Sequence, residues 1–202
     1  MAKRRLMIAM TAASGAGYCL ELLKGLAGLR ESRPEIVLIT NESSRKILKN
    51  ETGMDIGDLE DLADRMVDSS MMDDPAASGS NPFDGLVICP CTVSTASKIA
   101  SGIADNLITR CGAVALKERR TLILAVRETP LSTPVLGALF DLSSYGAVIM
   151  PAAPPLYGGE RTVEDLQKTF AGRILDVLNI DNDLAPRYAP KGVTEYPSKN
   201  QR

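Results

Sequence analysis

Short apolar runs alternate with stretches of helical spacing along most of the chain, and this alternation restricts the fold more than any other feature of the sequence. Leu6 to Met10 is an apolar run ending in Thr-Ala-Ala-Ser-Gly, after which Tyr18, Leu20, Leu22, Leu23 and Leu26 recur at helical spacing. Glu35 to Thr40 reads as a second strand, and Asn41-Glu42-Ser43-Ser44 offers N-cap residues for a helix running toward Asn50. Leu59 to Val67 reads as a further helical stretch, and Ser69 to Pro82, without any period, as a long loop. Gly85 to Cys89 is a third strand, stopped by Pro90; Thr92 to Ala100 and Asp105 to Lys117 are two helices broken at Ser101-Gly102. Thr121 to Val126 and Ala147 to Met150 are strands on either side of a helical segment from Pro130 to Leu142. Pro151-Ala152-Ala153-Pro154-Pro155 forbids a helix directly afterwards, and Val163 to Leu178 closes the pattern with one. Strands alternating with helices predict an α/β fold whose mostly parallel sheet is covered on both faces, with a site beyond the carboxyl ends of its strands. The 202 residues amount to one domain, read as residues 1–180. The tail, 181–202, has no core pattern and is expected to pack on a neighbouring subunit or to fray.

Composition narrows the chemistry. Twenty-three basic and 25 acidic residues leave a net charge of −2, which argues against nucleic acid as a partner. No apolar run approaches the ~18 residues of a membrane span. The five apolar residues after Arg5 fall short of the roughly 7-residue core of a signal peptide. Histidine is absent, which removes the usual neutral-pH base, every imidazole metal ligand and all Ser-His or Cys-His pairs. The four cysteines form no C-x-x-C, and Cys89-Pro90-Cys91 has no second pair to complete a zinc site, so no metal is expected and a reduced, cytoplasmic chain fits best.

The strand ends hold the candidate chemistry. Ala13-Ser14-Gly15 puts small residues where backbone N–H groups at a helix N-terminus meet a phosphate. Asn41 follows the second strand, and Cys91-Thr92-Val93-Ser94-Thr95 follows the third, so hydroxyl and amide groups gather as a phosphate- and hydroxyl-bearing ligand requires. The fourth strand delivers Arg127, able to clamp a phosphate, and Glu128, able to move a proton. Among the charges between Arg110 and Arg120, Glu118 and Arg120 read as solvated residues complementing a helix dipole, and Arg110 and Lys117 as candidates for the site. Cys89 and Cys91 read as packing residues, with no base nearby to form a thiolate; Tyr18 and Tyr145 read as structural.

These segments in their order resemble the flavin prenyltransferases of the UbiX type. The resemblance runs from Leu6 to about Tyr188 and rests on Ala13-Ser14-Gly15, Ala77-Ser78-Gly79-Ser80, Val87-Ile88-Cys89-Pro90-Cys91-Thr92, Gly102-Ile103-Ala104-Asp105-Asn106-Leu107, Ala115-Leu116-Lys117-Glu118-Arg119-Arg120, Arg127-Glu128-Thr129-Pro130-Leu131-Ser132 and Gly146-Ala147-Val148-Ile149. It implies a Rossmann-like, three-layer α/β/α subunit that binds FMN at an interface within a homododecamer. It also implies a reaction in which a dimethylallyl group leaves its phosphate and joins N5 and C6 of reduced FMN, the product serving a decarboxylase of the UbiD type. Under the resemblance Ala13, Ser14, Gly15, Asn41, Cys91, Thr92, Ser94, Thr95, Arg110 and Arg127 hold the FMN. Ser78, Lys117, Arg127, Tyr157, Arg173 and Tyr188 meet the allylic donor from more than one subunit, Glu51 belongs to the prenyl site, and Glu128 passes protons.

The chain departs from the family's usual pattern at Ala12, in place of Gly, at Pro134-Val135, in place of His-Leu, and at Tyr188, in place of Trp. Flavin-dependent cysteine decarboxylases share the fold but use a histidine that this chain lacks. An FMN-binding reductase or electron carrier of the same fold is the alternative reading. It would keep Ser14 and the FMN cradle without needing the phosphate clamp of Lys117, Arg127 and Arg173.

Overall fold

The structure, a computed structural model, describes residues 3–29, 32–159 and 162–188. Six strands, β1 (Arg5–Ala9), β2 (Glu35–Thr40), β3 (Arg65–Asp68), β4 (Gly85–Cys91), β5 (Thr121–Val126) and β6 (Val148–Pro151), form one sheet in the order β3-β2-β1-β4-β5-β6, every neighbouring pair parallel. The order reverses between β1 and β4, which opens a crevice at their carboxyl ends. Helices α1 (Ala16–Ala27), α2 (Glu42–Thr52) and α6 (Val163–Val177) cover one face of the sheet. Helices α3 (Val93–Ala100), α4 (Leu107–Lys117) and α5 (Thr133–Ser144) cover the other. Because strand side chains alternate, Leu6 and Ile8 enter the first core while Met7 and Ala9 enter the second. The expected three-layer architecture is therefore present, and four of its helix starts are set by local chemistry. Asn41, Thr92, Asn106 and Thr162 each accept an N–H in the first turn of their helices.

Three local readings of the sequence are corrected. Leu59 to Val67 is not one helix: a 3-10 helix spans Ile56–Leu62, and Arg65–Asp68 is the edge strand β3. Asp64 decides the change, since its carboxylate takes the Ile36 N–H at 2.8 Å and so sets the chain beside β2 before the β-branched Val67 turns inward. The strand before Pro90 does not stop there. It runs on to Cys91 through a register shift between Ile88 and Cys91, after which Cys91 shares a core with Leu86 and Ile88 instead of with Val87 and Cys89. Thr11 holds the strand at this point, its N–H and hydroxyl both donating to the Pro90 carbonyl, at 3.2 and 2.7 Å. The helix expected from Pro130 begins at Thr133, with Pro134 in its first turn, where an absent N–H costs no hydrogen bond.

Residues 181–188 lie on their own chain. Ala185 is buried, and a Cβ on Gly172 of α6 would stand only 2.6 Å from the Ala185 nitrogen. The rest of the tail, 189–202, lies outside the described residues. No helix among the described residues is long and apolar enough to cross a membrane.

Candidate active site

At the crevice between β1 and β4 the chain folds back on itself through Thr11. Its hydroxyl, besides donating to Pro90, accepts the Thr92 N–H at 2.8 Å, so the two strand ends are laced together. The turn that follows carries its positive φ at Gly15 (+109°), and Ala12 keeps an ordinary negative φ, so the alanine in place of glycine is accommodated. A Cβ on Gly15 would also meet the Tyr18 ring at 2.8 Å.

Gly15 is the N-cap of α1 and has no side chain to satisfy the helix's first N–H groups. Glu51, from the last turn of α2, does so instead: its Oε2 accepts from both Gly15 and Ala16 nitrogens at 2.8 Å. The N–H groups that the sequence assigned to a phosphate are thus already occupied by a carboxylate, and this is a correction. Partial burial acts to raise the Glu51 carboxyl, but hydrogen bonds from the Ser14 hydroxyl, Ala16 and Gly15, with the positive charge of Arg127, outweigh it and hold the group below its ordinary value.

Ser14, Glu51 and Arg127 therefore meet at one place. Arg127 leaves β5 with its N–H on the Cys91 carbonyl at 3.2 Å and forms no ion pair among the described residues. Glu128 follows it, exposed, with Oε1 accepting, among the described residues, only the adjacent Thr129 N–H. Thr92 caps α3, its hydroxyl accepting the Thr95 N–H at 3.2 Å and donating to Thr95 Oγ1 at 2.9 Å, and Ser94 is exposed in the same turn. Asn41 spends its side-chain oxygen on the Ser44 N–H. Ala13 and Cys91 are buried, and burial raises the Cys91 thiol well above its ordinary value, so Cys91 contributes backbone and not sulfur to the crevice. The hydroxyls of Ser14, Thr92 and Ser94 beside an unpaired guanidinium suit a ligand with a phosphate, hydroxyls and a planar ring, and FMN has this chemistry.

A second group adjoins the first. Tyr157, Arg173, Arg187 and Tyr188 line a cavity of about 570 Å³ between α6, the proline-rich segment after β6 and the chain's 181–188 segment. Phe170 also lines it and packs edge-on against Tyr18, centroids 5.1 Å apart, so one aromatic pair separates this cavity from the glycine turn. Burial and the neighbouring Cys89 push the Tyr18 phenol up against the pull of Arg127. Tyr157 and Tyr188 stand edge to face at 5.6 Å.

The third group is the loop after β3. Ser78 and Ser80 hydroxyls pair at 2.8 Å, and Arg110 donates from Nε to the Ala77 carbonyl at 2.9 Å. Lys117 bonds Glu118 at 2.7 Å, and both head groups lie over Gly79. Arg120, read from sequence as a solvated charge, instead donates to the Gly79 and Asn81 carbonyls at 2.6 and 3.2 Å and rests on the Phe83 ring. No hydrogen bond or ion pair among the described residues joins this group to the other two. Sequence reasoning missed Arg187 and Asp176; the only linear signal was the Arg173-to-Asp176 spacing of three on a helix. No group of three or more acidic or cysteine side chains able to hold a metal occurs among the described residues.

A crevice of this kind at the switch point of a parallel sheet defines a nucleotide-binding α/β protein, and the sequence matches the Flavoprotein family over residues 1–173. The chain is 42% identical to the flavin prenyltransferase UbiX of Methanothermobacter thermautotrophicus, over 94% of this chain and 98% of that protein. It superposes on a crystal structure of AnUbiX (PadA1) in complex with FMN and dimethylallyl pyrophosphate with a TM-score of 0.87 and 36% identity, covering 94% of this chain and 99% of the other. A dodecameric FMN-dependent UbiX-like decarboxylase from Escherichia coli gives a TM-score of 0.88 at 32% identity, covering 92% and 100%. The chain belongs to the flavin prenyltransferase family.

Proposed function

We propose that this chain transfers a dimethylallyl group from dimethylallyl phosphate to N5 and C6 of reduced FMN. The observation that carries the reading is the junction of Ser14, Glu51 and Arg127 at the switch point, one aromatic pair away from an arginine-lined cavity. When bound, reduced FMN would offer N5 and C6 as two nucleophilic positions; each would exchange its proton for a bond to carbon while one proton is returned to the allylic double bond, so the net gain is one C5H8 unit. The chain's residues supply the rest. Ser14, Thr92, Ser94 and Thr95 offer hydroxyls to the flavin, and Ala13, Gly15, Asn41 and Cys91 shape the backbone that carries them. Breaking the allylic C–O bond sends its electron pair to phosphate, so fixed cations near that oxygen favour the step. Arg127 at the switch point and Arg173 at the cavity are the cations proposed for this role on one chain. The Tyr157 and Tyr188 rings offer an aromatic wall for the allylic group and keep water from it. Glu128, exposed at the crevice mouth, is the proton carrier.

Ser78, Arg110 and Lys117 reach this site from another copy of the chain, so the active form is a homo-oligomer, read as a dodecamer. The apolar surface of α5, with Phe140 71% and Leu136 52% exposed, and Leu156 beyond β6, 78% exposed, supports such contacts. A cytoplasmic decarboxylase of the UbiD type is the proposed recipient of the product.

The test is anaerobic incubation with reduced FMN and dimethylallyl phosphate, followed by mass spectrometry of the released flavin. A gain of one C5H8 unit is expected. Unchanged FMN from folded, flavin-loaded protein, with the pyrophosphate donor also tried, would overturn the reading in favour of a flavin reductase.

A further inference from the structure

We propose that Asp176 is the positioning residue of the donor's phosphate site: it sets the Arg173 guanidinium and, through Arg187, holds the Tyr188 wall over the cavity. This rests on the proposed function for the identity of the donor. Asp176 lies on α6 one turn beyond Arg173, and Oδ2 accepts from Arg173 at 2.5 Å and from Arg187 at 2.6 Å. Oδ1 accepts from the second Arg187 nitrogen at 2.8 Å and from Asn182 Nδ2 at 3.1 Å. One carboxylate thus ties a helix to the segment that runs from Asn182 to Tyr188.

The two arginines are held differently. Arg187 is gripped through two nitrogens and donates onward to the Asn182 carbonyl at 3.3 Å, which commits it to anchoring the chain. Arg173 is held through one nitrogen, and its remaining donors have no protein partner among the described residues. Both line the cavity beside Tyr157 and Tyr188. The cavity's described lining carries both guanidiniums and no acidic side chain, so an anion entering it meets the free edge of Arg173 in a fixed orientation. Without the carboxylate, Arg173 is free to swing and Tyr188 loses its tether, and both losses fall on the donor instead of on the flavin.

The test compares Asp176→Asn, Asp176→Glu and Arg187→Lys with wild type as flavin-loaded proteins. It reads donor KM, kcat, flavin content, melting temperature and binding of inorganic phosphate by calorimetry. Asp176→Asn is expected to raise donor KM and weaken phosphate binding about tenfold or more, with flavin content kept. Asp176→Glu restores part of the loss, and Arg187→Lys, unable to grip with two nitrogens, falls between. Loss of melting temperature and flavin content with KM and phosphate affinity unchanged would overturn the proposal, leaving Asp176 a purely structural residue. If Asp176→Asn does not fold, unchanged phosphate binding in Arg187→Lys overturns it equally. A wild-type protein that does not prenylate FMN defeats the proposed function, and the phosphate comparison then decides this inference by itself.

Discussion

Glu51 Oε2 lies 2.8 Å from the Gly15 nitrogen, although the two residues are 36 positions apart. A carboxylate from the end of one helix thereby caps the start of another, and the cap is stronger while ionised. Because the Glu51 pKa is depressed in the folded chain, its contribution is fully present above the ordinary carboxylate value of 4.5 and is lost as pH falls through the lower folded value. Glu51→Gln should therefore be less stable than wild type at neutral pH, by about 1 kcal/mol on the scale of a lost cap. The gap should close as the medium is acidified. Urea unfolding of both proteins at neutral pH and below pH 4.5 checks the sign.

Glu128 is exposed, and among the described residues its only hydrogen bond is to the adjacent Thr129 N–H, so removing it should disturb little packing. Glu128→Ala is expected to retain FMN and melting temperature while prenylation slows by about 10²–10⁴-fold, the usual range for a lost proton carrier. Single-turnover assays with flavin absorbance measured on the same samples separate the two effects.

A Cβ on Gly79 would lie 2.4 Å from Glu118 Oε1 and 2.8 Å from Lys117 Nζ. Both are ends of flexible, exposed side chains, so Gly79→Ala should displace them at little cost to the fold, within about 0.5 kcal/mol. The expected change is functional: Lys117 moves, donor KM rises and melting temperature stays. A large drop in melting temperature would contradict this account.

The four cysteines are buried, and burial raises every thiol, Cys19 and Cys111 to about 12. Native protein at neutral pH should resist iodoacetamide and retain its activity, whereas protein unfolded in guanidinium should take up four equivalents. Mass spectrometry of the alkylated chain reads this directly.

Much of the architecture was legible in the chain itself. The runs at β2 and β5 coincide with the structure because a strand buried on both faces must be largely apolar, and Asn41 marks the start of α2 because capping is a local hydrogen bond. Arg127 and Glu128 could be proposed for the site because they directly follow such a strand, and Ser14 because it lies in the turn after β1. Arg120 and β3 were not legible. A charge on a helix end looks solvated until Gly79 and Asn81 are brought to it, and a four-residue edge strand carries too little pattern to outweigh the apolar spacing before it.

The sequence by itself determined the alternation of elements, the absence of imidazole chemistry and which strand ends carry the hydroxyl, amide and charged side chains, since periodicity, composition and caps act within a few residues. Tertiary structure decided that Glu51, not a phosphate, occupies the α1 N-terminus, that Thr11 carries β4 past Pro90, and that Asp176 gathers Arg173 and Arg187. Each of these depends on a partner brought up only when the sheet forms its crevice and residues 181–188 settle on α6, and beyond the Arg173-to-Asp176 spacing nothing in the sequence encodes those meetings.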